Sequence, residues 1–181
     1  MKSGAAGAAG LASAPALAGL FGGQDPPRPN PRVPFELGLA SYTFREFGLD
    51  DMIAMAGRVG LTRVSLKDVH LPLAATDAEI AAAVGKARAA GLTVYGCGVV
   101  YMRTAPEVDR AFAYARAAGM EVIIGVPDPA LLSLADKRVR ETGVRLAIHN
   151  HGPEDTLYPT PRSVYDRVKG LDPRVGLCLD I

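Results

Sequence analysis

The sequence predicts an α/β domain of the (β/α)8 class, the TIM barrel, with about six of the eight strand–helix units present. Three observations carry that expectation. Helix-like runs end at Gly60, Gly91, Gly119 and Gly143, and a β-rich run follows each glycine at once. Glycine suits the left-handed position that closes a helix, and the spacing of about 24 to 31 residues is that of one strand plus one helix. The helix starts agree with the stops: Thr76 with Glu79 and Thr104 with Glu107 read as capping boxes, while Asp128-Pro129 and Thr160-Pro161 place a cap residue before a first-turn proline. Finally, several strand candidates are apolar on one side only.

In chain order, the first strand is expected over residues 36–41, and later ones over 61–66, 92–97, 120–126, 144–149 and 175–180. The helices between them are expected over roughly 49–58, 77–90, 105–118, 129–142 and 161–169. Their alanine-rich faces, such as Ala81 to Ala83 and Ala111, Ala113, Ala115 and Ala117, suit close helix-to-sheet packing. Strand, helix, strand, repeated, implies a parallel sheet with right-handed crossovers.

A doubly wound open sheet buries both faces, so its strands should be apolar on both sides. Here Arg63, Ser65 and Lys67 alternate with Val64 and Leu66, and Glu36, Gly38 and Ala40 alternate with Leu37 and Leu39. Small or polar residues on one face fit the lumen of a closed barrel. No Gly-x-Gly-x-x-Gly follows the first strand, so the dinucleotide-binding reading lacks its fingerprint.

Residues 1–34 read as a leader and linker, and residues 35–181 as the domain. Met1-Lys2-Ser3 runs into an Ala/Gly/Leu/Ser stretch with a small-x-small step at Ala16-Leu17-Ala18, which fits a signal for export to the periplasm or beyond. The stretch is too short and glycine-rich for a membrane span. Pro26, Pro27, Pro29, Pro31 and Pro34 follow in an extended linker. A net charge of +1, no tryptophan and no basic stripe argue against a nucleic-acid partner. Two cysteines, Cys97 and Cys178, in separate strands do not make a disulfide framework.

Barrel chemistry sits at the C-terminal ends of the strands. Residues alternate faces along a strand, so Val144, Leu146 and Ile148 share an apolar side while Arg145, Ala147, His149 and His151 share the other. In the next strand Val175, Leu177 and Leu179 are the apolar side, and Asp180 ends the opposite one. Lys67, His149, His151 and Asp180 therefore reach the rim from the lumen side. His149 and Asp180, on neighbouring strands, are candidate ligands of one divalent cation, and imidazole plus carboxylate suits manganese, zinc, cobalt or iron better than calcium. Magnesium stays among the candidates. His151 could orient a neighbour or touch substrate. Lys67 is the candidate stabiliser of a developing oxyanion. His70 and Glu154, in the following loops, are candidate substrate contacts.

The motifs Gly-Leu-Thr-Arg-Val-Ser-Leu-Lys at 60–67, Val-Arg-Leu-Ala-Ile-His-Asn-His at 144–151 and Gly-Leu-Cys-Leu-Asp-Ile at 176–181 resemble the sugar phosphate isomerase/epimerase group of the xylose-isomerase-like TIM barrels. The resemblance implies a divalent metal held by a residue after strand five, which His149 matches, by an Asp after strand six, which Asp180 matches, and by further ligands after strands seven and eight. The group's usual strand-five residue is Glu followed by Asn and His, whereas this chain has His-Asn-His. The expected function is therefore a metal-dependent isomerase or epimerase. Its substrate would be a small-molecule carbohydrate and its intermediate an enediolate, with the base supplied by a residue other than His149. A same-fold lyase or dehydratase and a non-catalytic carbohydrate-binding barrel are the alternatives.

Overall fold

The computed structural model describes residues 35–180. The signal-like segment and proline-rich linker of residues 1–34 lie outside the described residues, as does Ile181. Six parallel strands alternate with five helices: β1 (Leu39–Ala40), α1 (Leu49–Arg58), β2 (Arg63–Leu66), α2 (Asp77–Ala89), β3 (Thr93–Met102), α3 (Ala105–Ala117), β4 (Val122–Pro127), α4 (Leu132–Thr142), β5 (Arg145–His149), α5 (Pro161–Val168) and β6 (Val175–Cys178). The strands pair in sequence order, β1 to β6, every pair parallel. That order belongs to a curling barrel wall; a doubly wound sheet reverses its order part-way.

The caps act as the sequence predicts. Thr76 accepts from the Glu79 amide at 3.3 Å while the Glu79 carboxylate accepts from the Thr76 amide at 2.7 Å. Glu107 accepts from the amides of Arg103 at 2.6 Å and Thr104 at 2.9 Å. Gly143 ends α4 at φ 76°, in the left-handed region, where a side chain would be strained.

The core lies between the outer face of the sheet and the helices. Val64, Leu66, Ile123, Leu146 and Ile148 project from the sheet into it, each at most 1% exposed. Met52, Ala56, Phe112, Ala115 and Val139 come from the helices, with the same degree of burial. At the N-terminal ends of the strands the inner side carries charge. Arg63 pairs with Glu36 at 3.1 Å and with Glu121 at 3.7 Å, and Glu121 pairs with Arg145 at 2.8 Å. Of the alternating polar residues seen in the sequence, Arg63 and Glu36 thus join an ion chain across the floor of the barrel, where residues serve stability rather than chemistry.

Three elements differ from expectation. β1 is two residues long. Gly38 before it faces the Tyr95 ring, with 2.8 Å between an added Cβ and that ring. Ser41–Phe44 then forms a 3-10 turn. The third strand continues past Cys97 to Met102, through a register shift between Gly98 and Val100. The fourth helix is preceded by a separate 3-10 turn, Pro129–Leu131, capped by Asp128.

Candidate functional site

β5 and β6 lie side by side, with Ile148 opposite Leu177 and His149 opposite Cys178. The outward residues Ile148 and Leu146 are locked in the core, so His149 must face inward. Two residues beyond Cys178, Asp180 returns to the same side. His149 Nε2 and Asp180 Oδ2 stand 3.7 Å apart. That is longer than a hydrogen bond and close to the span of two donors on one ion with bonds of about 2.0–2.2 Å.

Asn150 sets this pairing. It is 5% exposed; its side-chain amide donates to the Asp180 carbonyl at 3.2 Å and its carbonyl accepts from the Asp180 amide at 3.3 Å. The clamp fixes the backbone of Asp180 beside its own neighbour, His149.

The His149 ring is mostly buried, and among the described residues its Nδ1 has no hydrogen-bond partner. Burial lowers its pKa and the nearby His151 adds to that, against the opposing pull of Asp180. The favoured form is the neutral imidazole, which is also the form that ligates metal. The donor set, one neutral imidazole and one carboxylate, therefore fits a divalent cation. Among the described residues no group of three or more His, Cys, Asp or Glu side chains is gathered to hold one.

His151 sits beside His149, with ring centroids 4.5 Å apart, but its nitrogens turn elsewhere. Nδ1 is 2.8 Å from Asp155 Oδ2 and Nε2 is 3.1 Å from the Tyr101 hydroxyl. Asp155 is itself held by the amides of Leu157 at 2.6 Å and Tyr158 at 3.2 Å. Burial would raise the pKa of Asp155, but those two amides and His151 outweigh it and the net shift is downward.

Lys67 lies apart from this group. Its ammonium donates to the Val99 carbonyl at 3.0 Å and stands 3.7 Å from Asp68, while its amide donates to Ser41 Oγ at 2.7 Å. Lys67 and Tyr101 both line a cavity of about 140 Å³ between the ends of β2 and β3 and helix α3; His149, His151 and Asp180 do not. His70, expected among the substrate contacts, is instead packed inside at 7% exposure, with Nδ1 2.9 Å from Ser41 Oγ. Its position three residues beyond Lys67 folds it back under the β2–α2 loop, where Ser41 supplies the polar partner. Glu154 is exposed in the loop after β5.

Asn150 and Tyr101 carry no expected role from the sequence, and Asp155, a loop residue expected at most to touch substrate like Glu154, instead holds His151. Asn150 lies within the 144–151 motif, and its burial is the property that only the fold shows. Tyr101 could be reached by extending the third strand through the apolar run 98–102 to its rim, a step the glycines at 96 and 98 discourage.

No protein-family model and no curated protein matches the chain. Solved structures do match its fold. An uncharacterised protein from Parabacteroides distasonis superposes with a TM-score of 0.71 at 22% identity, over 81% of this chain and 63% of that one. A xylose isomerase domain protein from Planctomyces limnophilus gives a TM-score of 0.53 at 14% identity, over 69% and 56% of the two chains. A xylose isomerase-like TIM barrel protein from Mycobacterium smegmatis, solved in complex with magnesium, gives 0.51 at 19% identity, over 78% and 57%. The chain thus spans less than two thirds of the length of these structures.

Proposed function

We propose that this chain, which has the fold of the xylose isomerase-like TIM barrels, belongs to a metal-dependent isomerase or epimerase acting on a sugar or sugar derivative through an enediolate. One observation carries the reading: His149 and Asp180 converge within 3.7 Å at the C-terminal ends of adjacent parallel strands. The magnesium complex of the Mycobacterium smegmatis barrel supports the choice of a divalent cation. Magnesium itself prefers an all-oxygen shell, so the imidazole here favours manganese, zinc, cobalt or iron.

In this reading His149 Nε2 and Asp180 hold the cation and Asn150 keeps Asp180 in place. When bound, such a cation supplies Lewis acidity toward a substrate carbonyl. Lys67, held by the Val99 carbonyl and apart from His149 and Asp180, provides a positive charge at the rim for an oxyanion on a substrate long enough to reach both. Holding the neutral imidazole as a donor leaves His149 unavailable to take the carbon-bound proton, so the base is another group. The N-terminal segment adds export as part of the proposal.

The test is cation binding by the whole chain, followed by isothermal titration with manganese and zinc. H149A and D180N should each weaken binding by about tenfold or more, by analogy with losses seen around metal sites. This chain alone is expected to be inactive; a longer chain that supplies two further strand–helix units, incubated with free hexoses in deuterium oxide, should exchange the proton next to the carbonyl, and D180N in it should lose that exchange. Unchanged cation affinity in both variants would overturn the reading.

A further inference from the structure

The cavity of about 140 Å³ between the ends of β2 and β3 and helix α3 is larger than Lys67 alone requires. Its deep wall is made by Leu66, Leu71, Cys97, Val100 and Tyr114, each at most 5% exposed. Leu66 and Cys97 are partners in the β2–β3 register and share the core side of the sheet, while Tyr114 comes from α3. This wall offers a guest little polarity. Tyr114 spends its hydroxyl hydrogen on the Leu71 carbonyl at 3.0 Å. Burial pushes the pKa of the Cys97 thiol up to about 12, so its sulfur is uncharged. Apolar cavities stay dry and take apolar guests, and an engineered one of about 150 Å³ holds benzene. Volume and lining together fit one aromatic ring.

Polarity returns at the mouth. Asp68 is mostly exposed and Lys67 partly so, with 3.7 Å between their charged groups. The Lys67 ammonium gives one hydrogen to the Val99 carbonyl at 3.0 Å and carries two more, so it can donate to an oxygen arriving there. Tyr101 lines the cavity too, and its hydroxyl is 3.1 Å from His151 Nε2. The His151 ring in turn packs 4.5 Å from that of His149. Going outward, a ligand meets an apolar wall, then a donor, then the candidate metal pair. An aromatic ring, a linking oxygen and a polyol match those three in the same order.

We infer that the cavity is a substrate subsite for an aromatic substituent joined to the sugar through an oxygen. The ring lies against Leu66, Leu71 and Val100, and the linking oxygen accepts from Lys67. The substrate class is thus an aryl-substituted sugar derivative. The inference rests on the carbohydrate reading above and adds to it the group at the far end of the substrate. Leu73, in the turn before α2, also lines the cavity and is only partly buried, so the space can be closed or widened there with little disturbance of the core.

The first measurement needs no sugar. Phenol added to the whole chain should shift the methyl NMR signals of Leu66, Leu71 and Val100 and leave those of Val168 and Val175, on α5 and β6, in place. L73W should fill the cavity and abolish the shifts while melting like the wild type. L73A should widen it and bind a naphthol more tightly than the wild type does. The second measurement uses the longer chain of the exchange test, supplemented with zinc. There the phenyl ether at the terminal carbon of a free hexose should bind about tenfold or more tighter than the matching methyl ether, and L73W should remove the difference. Absent methyl shifts with phenol up to its solubility, or phenol and naphthol affinities that neither variant alters, would overturn the cavity as a binding site. A phenyl ether that binds no tighter than the methyl ether would overturn the subsite role alone. If neither ether binds and phenol still does, the carbohydrate reading falls and the subsite role falls with it.

Discussion

Asp172 illustrates how single residues far from the rim hold the site in register. Its carboxylate accepts from the Arg174 side chain at 2.8 and 2.9 Å and from the Arg174 amide at 3.0 Å, and its own amide donates to Asp136 of α4 at 2.7 Å. This knot precedes β6 directly, so it fixes where the strand leading to Asp180 begins. The Arg174 guanidinium, then the Arg174 amide, hold the Asp172 pKa well below the usual carboxylate range, against a smaller effect of burial. A depressed folded-state pKa stabilises the fold above the unfolded value of about 3.9 and loses that contribution as pH falls below it. D172N should therefore melt at a lower temperature than the wild type at pH 7. The gap should narrow below about pH 4, as thermal melts across pH would show. A gap independent of pH would assign the effect to geometry instead of charge.

Helix boundaries are where local chemistry and tertiary structure agree best. α2 has nearly no amphipathic contrast: alanines face both the core and solvent along its length. Its position therefore leans on its cap. Replacing Thr76 by Ala removes the acceptor for the Glu79 amide and the hydroxyl that donates to Glu79 at 2.8 Å. T76A should cost about 1 kcal/mol in chemical denaturation, while T76S should cost much less. An equal loss in both would mean that the methyl group, not the hydroxyl, matters. Strands are less local. Gly98 lies where a Cβ would run into the Ile124 carbonyl, so only glycine lets β3 approach β4 there and carry on to Tyr101.

For the whole molecule, the sheet ends at β1 on one side and β6 on the other, and the ion chain on the floor and the imidazoles at the rim occupy opposite ends of the same inner face. Among the described residues no helix is long and apolar enough to cross a membrane. Export, proposed from residues 1–34, is tested by expressing the chain in a bacterium with a periplasm and sequencing the N-terminus of the exported product. A mature chain beginning after the Ala16-Leu17-Ala18 step is expected, and one that retains Gly4 would sink the assignment.

The sequence by itself determined most of the helices, the order of the strands and the apolar side of β2 and β5, while Leu37 and Leu179, expected on the apolar side, are exposed. Glycine stops, capping boxes and the period of two are all local properties of the chain. It also determined that His149 and Asp180 would end neighbouring strands on the same side, since strand parity carries that information to within one residue. Tertiary structure alone decided that Asn150 would clamp Asp180, that His70 would turn inward to Ser41, and that Tyr101 and Asp155 would take the two nitrogens of His151. Those contacts join residues up to 50 positions apart. Their geometry depends on strand lengths, bulges and burial that no short stretch of sequence encodes.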